Sequence, residues 1–248
     1  MPLEALIFDV DGTLAETEEW HRHAFNAAFD AAGLGWHWDQ ALYRTLLDVT
    51  GGKERIRHHA VRRGEIIDAT IVARLHADKT ARYVASVEAG AIALRPGVAR
   101  LLHEARTAGL RLAIATTTTP ENVSALLRTT LGLDAVGLFE CIGAGDMVAA
   151  KKPAPDIYRF VLDRMGLAPG TCVAFEDTPN GLEAASGAGI ATVVTTSLYG
   201  GTAWFEDALL VVDGLGEAEA PARVLRGAAL DGPALQVSDL RRTLQAAS

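Results

Sequence analysis

The sequence has little of what marks a secreted, membrane-spanning or nucleic-acid-binding protein. Its two cysteines, Cys141 and Cys172, stand far apart at no metal or redox spacing, which argues against a disulfide framework and a thiolate metal site; both lie in apolar runs and read as small buried hydrophobes. No apolar stretch approaches the roughly 20 residues of a bilayer span. Glu4 and Asp9 interrupt anything resembling a basic-then-apolar leader, so a cytoplasmic protein without a membrane partner is expected. Positive charge is also short: 23 Lys and Arg against 31 Asp and Glu give a net charge of −8 and a pI near 5.4, which argues against nucleic acid or an anionic membrane as the main partner. An anionic substrate would then have to be met by local cations. There are no internal repeats, and the only low-complexity run is Thr116–Thr119.

The chain does contain enough to build a full core. Its 248 residues, 49% hydrophobic and 22% charged, suit a soluble globular enzyme of one large domain, or of one domain carrying an insertion. Organisation begins at Leu6-Ile7-Phe8-Asp9-Val10-Asp11-Gly12-Thr13-Leu14, an apolar strand running into an acidic turn. If the extended geometry persists, Asp9 and Asp11 leave the strand on one side, and Gly12 lets the chain turn. Two crowded carboxylates call for a divalent cation or a proton between them. A calcium loop fits poorly: Gly12 follows Asp11 directly, and Trp20 stands where the closing Glu would fall.

Past this turn the pattern becomes helical and stays so to about residue 90. Trp20, Ala24, Phe25, Ala28 and Phe29 recur at helical spacing, and further helices are expected over Gln40–Leu47, Lys53–Arg63 and Ala69–Val87. An all-helical block inserted after the first strand is the economical reading, with Trp20, Trp36 and Trp38 in its core. From Pro96, expected to open a helix, helices and strands alternate: strands at Leu110–Thr116, Glu140–Gly143, Cys172–Glu176, Ile190–Thr195 and, last, Leu209–Val212. The tail from Gly214, with a weak helix around Val237–Leu244, reads as surface packing. Such alternation means a parallel sheet covered on both faces, with its site outside the carboxyl ends of the strands. Asp9, Thr116, Glu176 and Asp177 fall at strand ends and Lys152 in a loop before a helix, the set a phosphoryl-transfer site needs. The threonines before Pro120 offer hydroxyls and backbone N–H groups at a helix start, which suits an anion.

In order and spacing, Asp9-Val10-Asp11-Gly12-Thr13, Thr116, Lys152-Pro153 and Glu176-Asp177 resemble the motifs of the haloacid dehalogenase (HAD) superfamily. The blocks Glu16–His21, Gly51–Arg55 and Glu176–Gly181 look most like its CbbY subgroup, neighbours of β-phosphoglucomutase. The resemblance implies an α/β fold: a three-layer Rossmann-like parallel-sheet core, residues 1–15 and 91–248, with an inserted all-helical C1-type cap, residues 16–90, hinged near Ala15 and Gly90. It implies Asp9 as the nucleophile that forms an aspartyl-phosphate and Asp11 as the acid and base. Crowding among the acids is expected to raise the Asp11 pKa. Mg²⁺ would be held by Asp9, the Asp11 backbone carbonyl and Asp177, with Glu176 either behind these ligands or bound through water. Thr116, Thr117 and Lys152 would bind phosphoryl oxygens.

In the cap, the resemblance points to Arg55, Lys79 and Glu18 as substrate contacts, to Tyr43 as a phosphate or hydroxyl contact, and to His21, on one helix face with Thr17, as a residue orienting Asp11 or the cap. Surface or structural roles remain open for Arg55, Lys79, His21 and Tyr43. The implied activity is that of a monomeric Mg²⁺-dependent sugar-phosphate phosphatase, acting on xylulose-1,5-bisphosphate or a related sugar bisphosphate. A phosphomutase is the alternative, weakened because Thr119 stands where β-phosphoglucomutase has a lysine. A non-catalytic phosphosugar binder would not need both Asp9 and Asp11.

Overall fold

The apolar stretch at the N-terminus forms β1 (Ala5–Phe8), and its side chains explain the layering. Leu6 and Phe8 enter the larger apolar cluster on one face of the sheet, while Ala5 and Ile7 enter a second cluster on the other, the period-two alternation of a strand buried on both sides. β2 (Arg111–Ala115) and β4 (Cys172–Glu176) flank β1 in parallel and repeat the pattern: Leu112, Ile114, Val173 and Phe175 on the first face, Ala113, Ala115 and Ala174 on the second. Phe8 and Phe175 stack across the strand pair with centroids 4.6 Å apart.

In this computed structural model, which describes residues 2–200 and 205–247, β3 (Cys141–Gly143), β5 (Ala191–Thr195), β6 (Leu210–Val212) and β7 (Val224–Arg226) complete a sheet ordered β3-β2-β1-β4-β5-β6-β7. All neighbours pair in parallel except β6 and β7. Helices α5 (Val98–Thr107), α6 (Pro120–Leu131) and α9 (Val237–Ala247) cover the first face, and α7 (Asp156–Met165) and α8 (Pro179–Gly187) cover the second. Successive strands are added to one side from β1 to β3 and to the other side from β4 onward, so the order switches between the parallel neighbours β1 and β4 and the crevice of this α/β sheet opens beyond Phe8 and Glu176.

Between β1 and Leu94 lies the expected helical insert: α1 (Glu18–Ala31), α2 (Gln40–Leu46), α3 (Gly52–Arg62) and α4 (Ala69–Glu88). The chain leaves and returns at one place, where Ala15 bridges Leu94 and the Arg95 N–H donates to the Leu14 carbonyl at 2.9 Å. Phe25, Phe29, Trp36, Trp38, Tyr43, Leu46 and Ile56 give the insert an apolar cluster of its own. Asp39 and Asp68 cap α2 and α4 by accepting from the Leu42 and Thr70 N–H groups.

Four expectations are corrected. Trp20 packs, partly buried, against the sheet-side cluster and not within the insert's aromatic core, because α1 begins at the junction. Pro96 does not open α5: the helix starts at Val98 after Gly97 in a left-handed conformation. Leu210–Val212 is not the last strand; β7 follows it as a short antiparallel edge, where Val224-Leu225-Arg226 shows no alternating pattern long enough to read. The tail is not surface packing alone, since Leu235, Val237, Leu240 and Leu244 join the main core.

Candidate active site

The strand-end acids converge. Asp9 follows β1 directly, and its N–H donates to the Phe175 carbonyl at 3.0 Å, which fixes it beside β4. Its Oδ1 accepts from the Lys152 ammonium at 2.6 Å, and the same ammonium donates to Glu176 Oε1 at 2.5 Å. The Tyr158 hydroxyl of α7 also donates to Glu176 Oε1. Asp177 Oδ2 accepts from the Ser197 hydroxyl at 2.5 Å. Carboxylate oxygens of Asp9, Glu176 and Asp177 lie within 4.8 Å of one another, all three side chains being buried.

Two glycines make this density possible. Gly12, at φ +79°, sits where a Cβ would come within 2.0 Å of Asp177 Oδ2, and a Cβ on Gly181 would come within 1.8 Å of Glu176 Oε2. Burial pushes Asp9 up to about 7 even against the pull of Lys152, and pushes Asp177 well above its ordinary value. Lys152 is the only cation bonded to these acids among the described residues, so three carboxylates face one ammonium. That excess of negative charge and an all-oxygen donor set fit a hard divalent cation.

Asp11 is held differently. Its Oδ1 accepts from the Thr17 hydroxyl at 2.5 Å and lies 3.0 Å from His21 Nε2, while His21 Nδ1 lies 2.8 Å from the Lys79 ammonium. An ammonium can only donate, so Nδ1 accepts and Nε2 carries the proton given to Asp11. Burial and the nearby Lys79 charge lower the His21 pKa, keeping the ring neutral. Burial raises the Asp11 pKa, but His21, Thr17 and Lys79 outweigh it and hold the group at about 2. The expected upward shift of Asp11 is therefore corrected: the donors of the insert outweigh burial, and the raised carboxylates are Asp9 and Asp177.

Two adjoining cavities share Asp11, Glu18, Arg55 and Thr117. One, of about 80 Å³, holds Asp9, Lys152, Glu176 and Asp177. The other, of about 390 Å³, runs between the insert and the N-terminus of α6, past His21, Lys53, His76, Lys79, Thr118 and Lys151. Of the sequence-predicted residues, Asp9, Asp11, Lys152, Glu176, Asp177, Thr117, Glu18, Arg55, His21 and Lys79 border these spaces. Thr116 and Tyr43 border neither. Thr116 is buried with its hydroxyl toward the Thr118 N–H, and the Tyr43 hydroxyl donates to Glu18 at 2.6 Å and accepts from Arg55 at 3.1 Å. Tyr158, Ser197 and Tyr199 escaped the sequence reading. The strand-end rule applied to β5 would have found Ser197; Tyr158 hides among the apolar residues Ile157, Val161 and Leu162 of its helix.

A family model described as haloacid dehalogenase-like hydrolase matches residues 3–189. The chain belongs to that family. It is 53% identical over 225 residues to the plasmid-encoded protein CbbY of Cupriavidus necator, 88% of each chain being covered. It is 32% identical over 209 residues to a phosphorylated carbohydrates phosphatase of Thermotoga maritima, covering 82% of this chain and 91% of that one. Among solved structures, CbbY from Rhodobacter sphaeroides in complex with xylulose-(1,5)bisphosphate superposes with a TM-score of 0.83 at 49% identity, over 86% of this chain and 94% of that chain. The haloacid dehalogenase-like chain described here is thus a CbbY-like phosphatase.

Proposed function

We propose that this phosphatase is Mg²⁺-dependent, works through an aspartyl-phosphate on Asp9, and takes a sugar bisphosphate, first of all xylulose-1,5-bisphosphate. The observation that carries the reading is the contact of Lys152 with Asp9 and Glu176 at 2.6 and 2.5 Å, beside an Asp11 secured separately by Thr17 and His21. Asp9, Asp177 and the Asp11 carbonyl would hold Mg²⁺, with Glu176 behind them; bound there, the ion would supply positive charge for the phosphoryl oxygens. Lys152 and the Thr117 region would bind the same oxygens.

In the first half-reaction, the Asp9 carboxylate attacks phosphorus, the bond from phosphorus to the sugar oxygen breaks, and that oxygen takes a proton from Asp11. In the second, Asp11 takes a proton from water, whose oxygen attacks phosphorus and releases inorganic phosphate and the Asp9 carboxylate. The donors around Asp11 favour its ionised form, which the second half needs. A phosphate dianion beside it opposes ionisation, which the first half needs.

Residues 16–90 would act as a cap over a catalytic core of 1–15 and 91–248. The larger cavity would receive the second phosphate beside Arg55 and Lys79, which supports a bisphosphate over a monophosphate substrate. The R. sphaeroides relative binds xylulose-(1,5)bisphosphate on the same fold, which supports this choice of sugar. The test is phosphate release by purified protein with Mg²⁺ and with chelator across sugar mono- and bisphosphates. Fast, chelator-sensitive release from xylulose-1,5-bisphosphate is expected. No release from any member would overturn the reading, and isomerisation of a hexose phosphate without net release would replace it with a mutase.

A further inference from the structure

Tyr199 belongs by sequence to the sheet, in the loop that follows β5, yet its side chain is built into the helical insert. Among the described residues it is the one buried member of the insert's aromatic cluster from outside residues 25–75. Its ring meets Tyr43 edge-on, with centroids 5.6 Å apart and planes at 87°; Arg44 lies over its face at 5.0 Å, and its hydroxyl donates to Glu19 of α1. The loop that carries it is tied to the catalytic side. The Ser197 hydroxyl donates to Asp177 and accepts from the Gly200 N–H at 2.8 Å, and the Thr196 carbonyl accepts from Arg95 at 2.6 Å.

The neighbour of Tyr199 matters most. Fully buried Tyr43 donates to Glu18, accepts from Arg55 and lies under the Arg55 guanidinium at 5.3 Å. Glu18 and Arg55 are two of the four residues common to both cavities, so they form the wall a substrate spanning them must pass. We infer that Tyr199 is a specificity residue: it borders the smaller cavity and, from the sheet side, packs perpendicular to Tyr43, so it places the Glu18 and Arg55 side chains bonded to Tyr43 that select a sugar reaching into both cavities. A perpendicular aromatic pair gains from its ring quadrupoles an attraction that an aliphatic side chain of similar size does not supply. The inference deepens the phosphatase reading and rests on it for the identity of the sugar.

The experiment separates the two. In an Asp9→Asn background, where turnover is not needed, xylulose-1,5-bisphosphate binding is measured by calorimetry with Tyr199 intact and as Y199A, Y199L and Y199F. In the otherwise parental enzyme, the same Tyr199 variants are assayed on this sugar and on p-nitrophenyl phosphate. Expected are a Kd and KM for the bisphosphate raised about tenfold in Y199A and Y199L, a kcat within about threefold, Y199F close to the parent, and a p-nitrophenyl phosphate KM that rises several-fold less than that for the bisphosphate. Y199L fills the space without an edge and reads the same effect if Y199A does not fold. Affinity unchanged in Y199L, or equal loss on both phosphate compounds, overturns the inference. A parent enzyme that releases no phosphate while Y199L still weakens binding sinks the phosphatase reading and leaves the Tyr199 inference standing.

Discussion

Asp9 and Asp11 stand two residues apart and receive opposite treatment from the two parts of the molecule. Asp9 is enclosed by the β4 end, Glu176 and Asp177, and by Lys152 from the loop before α7, and burial raises it to about 7. Asp11 is enclosed by the insert, Thr17 and His21 with Lys79 behind, and despite burial those donors hold it at about 2. Two adjacent carboxylates with separated pKa values can take different roles at one pH. The difference teaches more than the assignment. The side chains bonded to Asp9 come from outside the insert, whereas those bonded to Asp11 come from Thr17 and α1, with Lys79 of α4 behind; in the proposed reaction the insert would therefore set up the acid–base partner and not the nucleophile.

Breaking the sheet-side half has the largest effects. Asp9→Asn removes the proposed nucleophile while keeping its size, and phosphate release is expected to fall by about 10⁴-fold or more, with binding retained. A D9N enzyme with near-parental turnover would transfer the role elsewhere. Lys152→Met comes next. Lys152 is 4% exposed and bridges two buried acids, so its loss is expected to cost about 3 kcal/mol in urea unfolding and about 10³ in turnover. Parental stability in K152M would mean that Asp9 and Glu176 do not need its charge.

The two halves also differ in how far the sequence announces them. The sheet side is legible because its acids sit where apolar strands stop, Phe8 before Asp9 and Phe175 before Glu176 and Asp177; the Lys152 loop is read from its motif instead. The strand rule gives position along the chain, yet not which way a side chain points, which is why Thr116 and Thr117 are both expected at the cavity and of the two only Thr117 borders it. The insert side is legible as helices with apolar stripes, and the Thr17–His21 spacing indicates one face. That Lys79 would meet His21 depends on how α4 packs on α1, a tertiary fact that no local pattern encodes. Tyr43 illustrates the remainder: its hydroxyl reads as a ligand group, but packing spends it on Glu18 and Arg55.

Breaking the insert-side half has intermediate effects. His21→Asn is expected to lower turnover about 10²-fold through loss of the Asp11 donor. Lys79→Met is expected to cost about tenfold and to change the pH profile. Burial lowers Lys79 to about 8 although Asp11 and Glu18 raise it, and Arg55 adds to the lowering. Below that pH the ammonium donates to His21; above it the donor is lost, so turnover is expected to fall on an alkaline limb near pH 8 that K79M lacks. Stability should move the other way. The folded pKa lies below the unfolded one, so between about pH 8 and the ordinary lysine range the unfolded chain binds more protons, and stability gained there should vanish in K79M. Profiles of the parent and K79M that run parallel across this range would detach Lys79 from the Asp11 relay.

The smallest expected effect tests whether the proposed cap is held by the rim of the larger cavity as well as by its buried relay. There Asp146, in the loop after β3, pairs with Lys53 of α3 at 2.7 Å and with Lys151 at 2.8 Å, and Lys151 reaches Glu54 at 3.3 Å, so the ions cross from sheet to insert. Both lysines hold Asp146 below its ordinary carboxylate range, but its side chain is 60% exposed, and solvent screens most of that attraction. Asp146→Asn is therefore expected to change stability by less than about 0.5 kcal/mol and KM by no more than about twofold, with the difference gone in about 0.5 M salt. An effect on turnover as large as that of K79M, persisting in salt, would show that the rim holds the proposed cap; the contrast between a buried relay that assembles Asp11 and a solvated rim that only borders it would then have to be reversed.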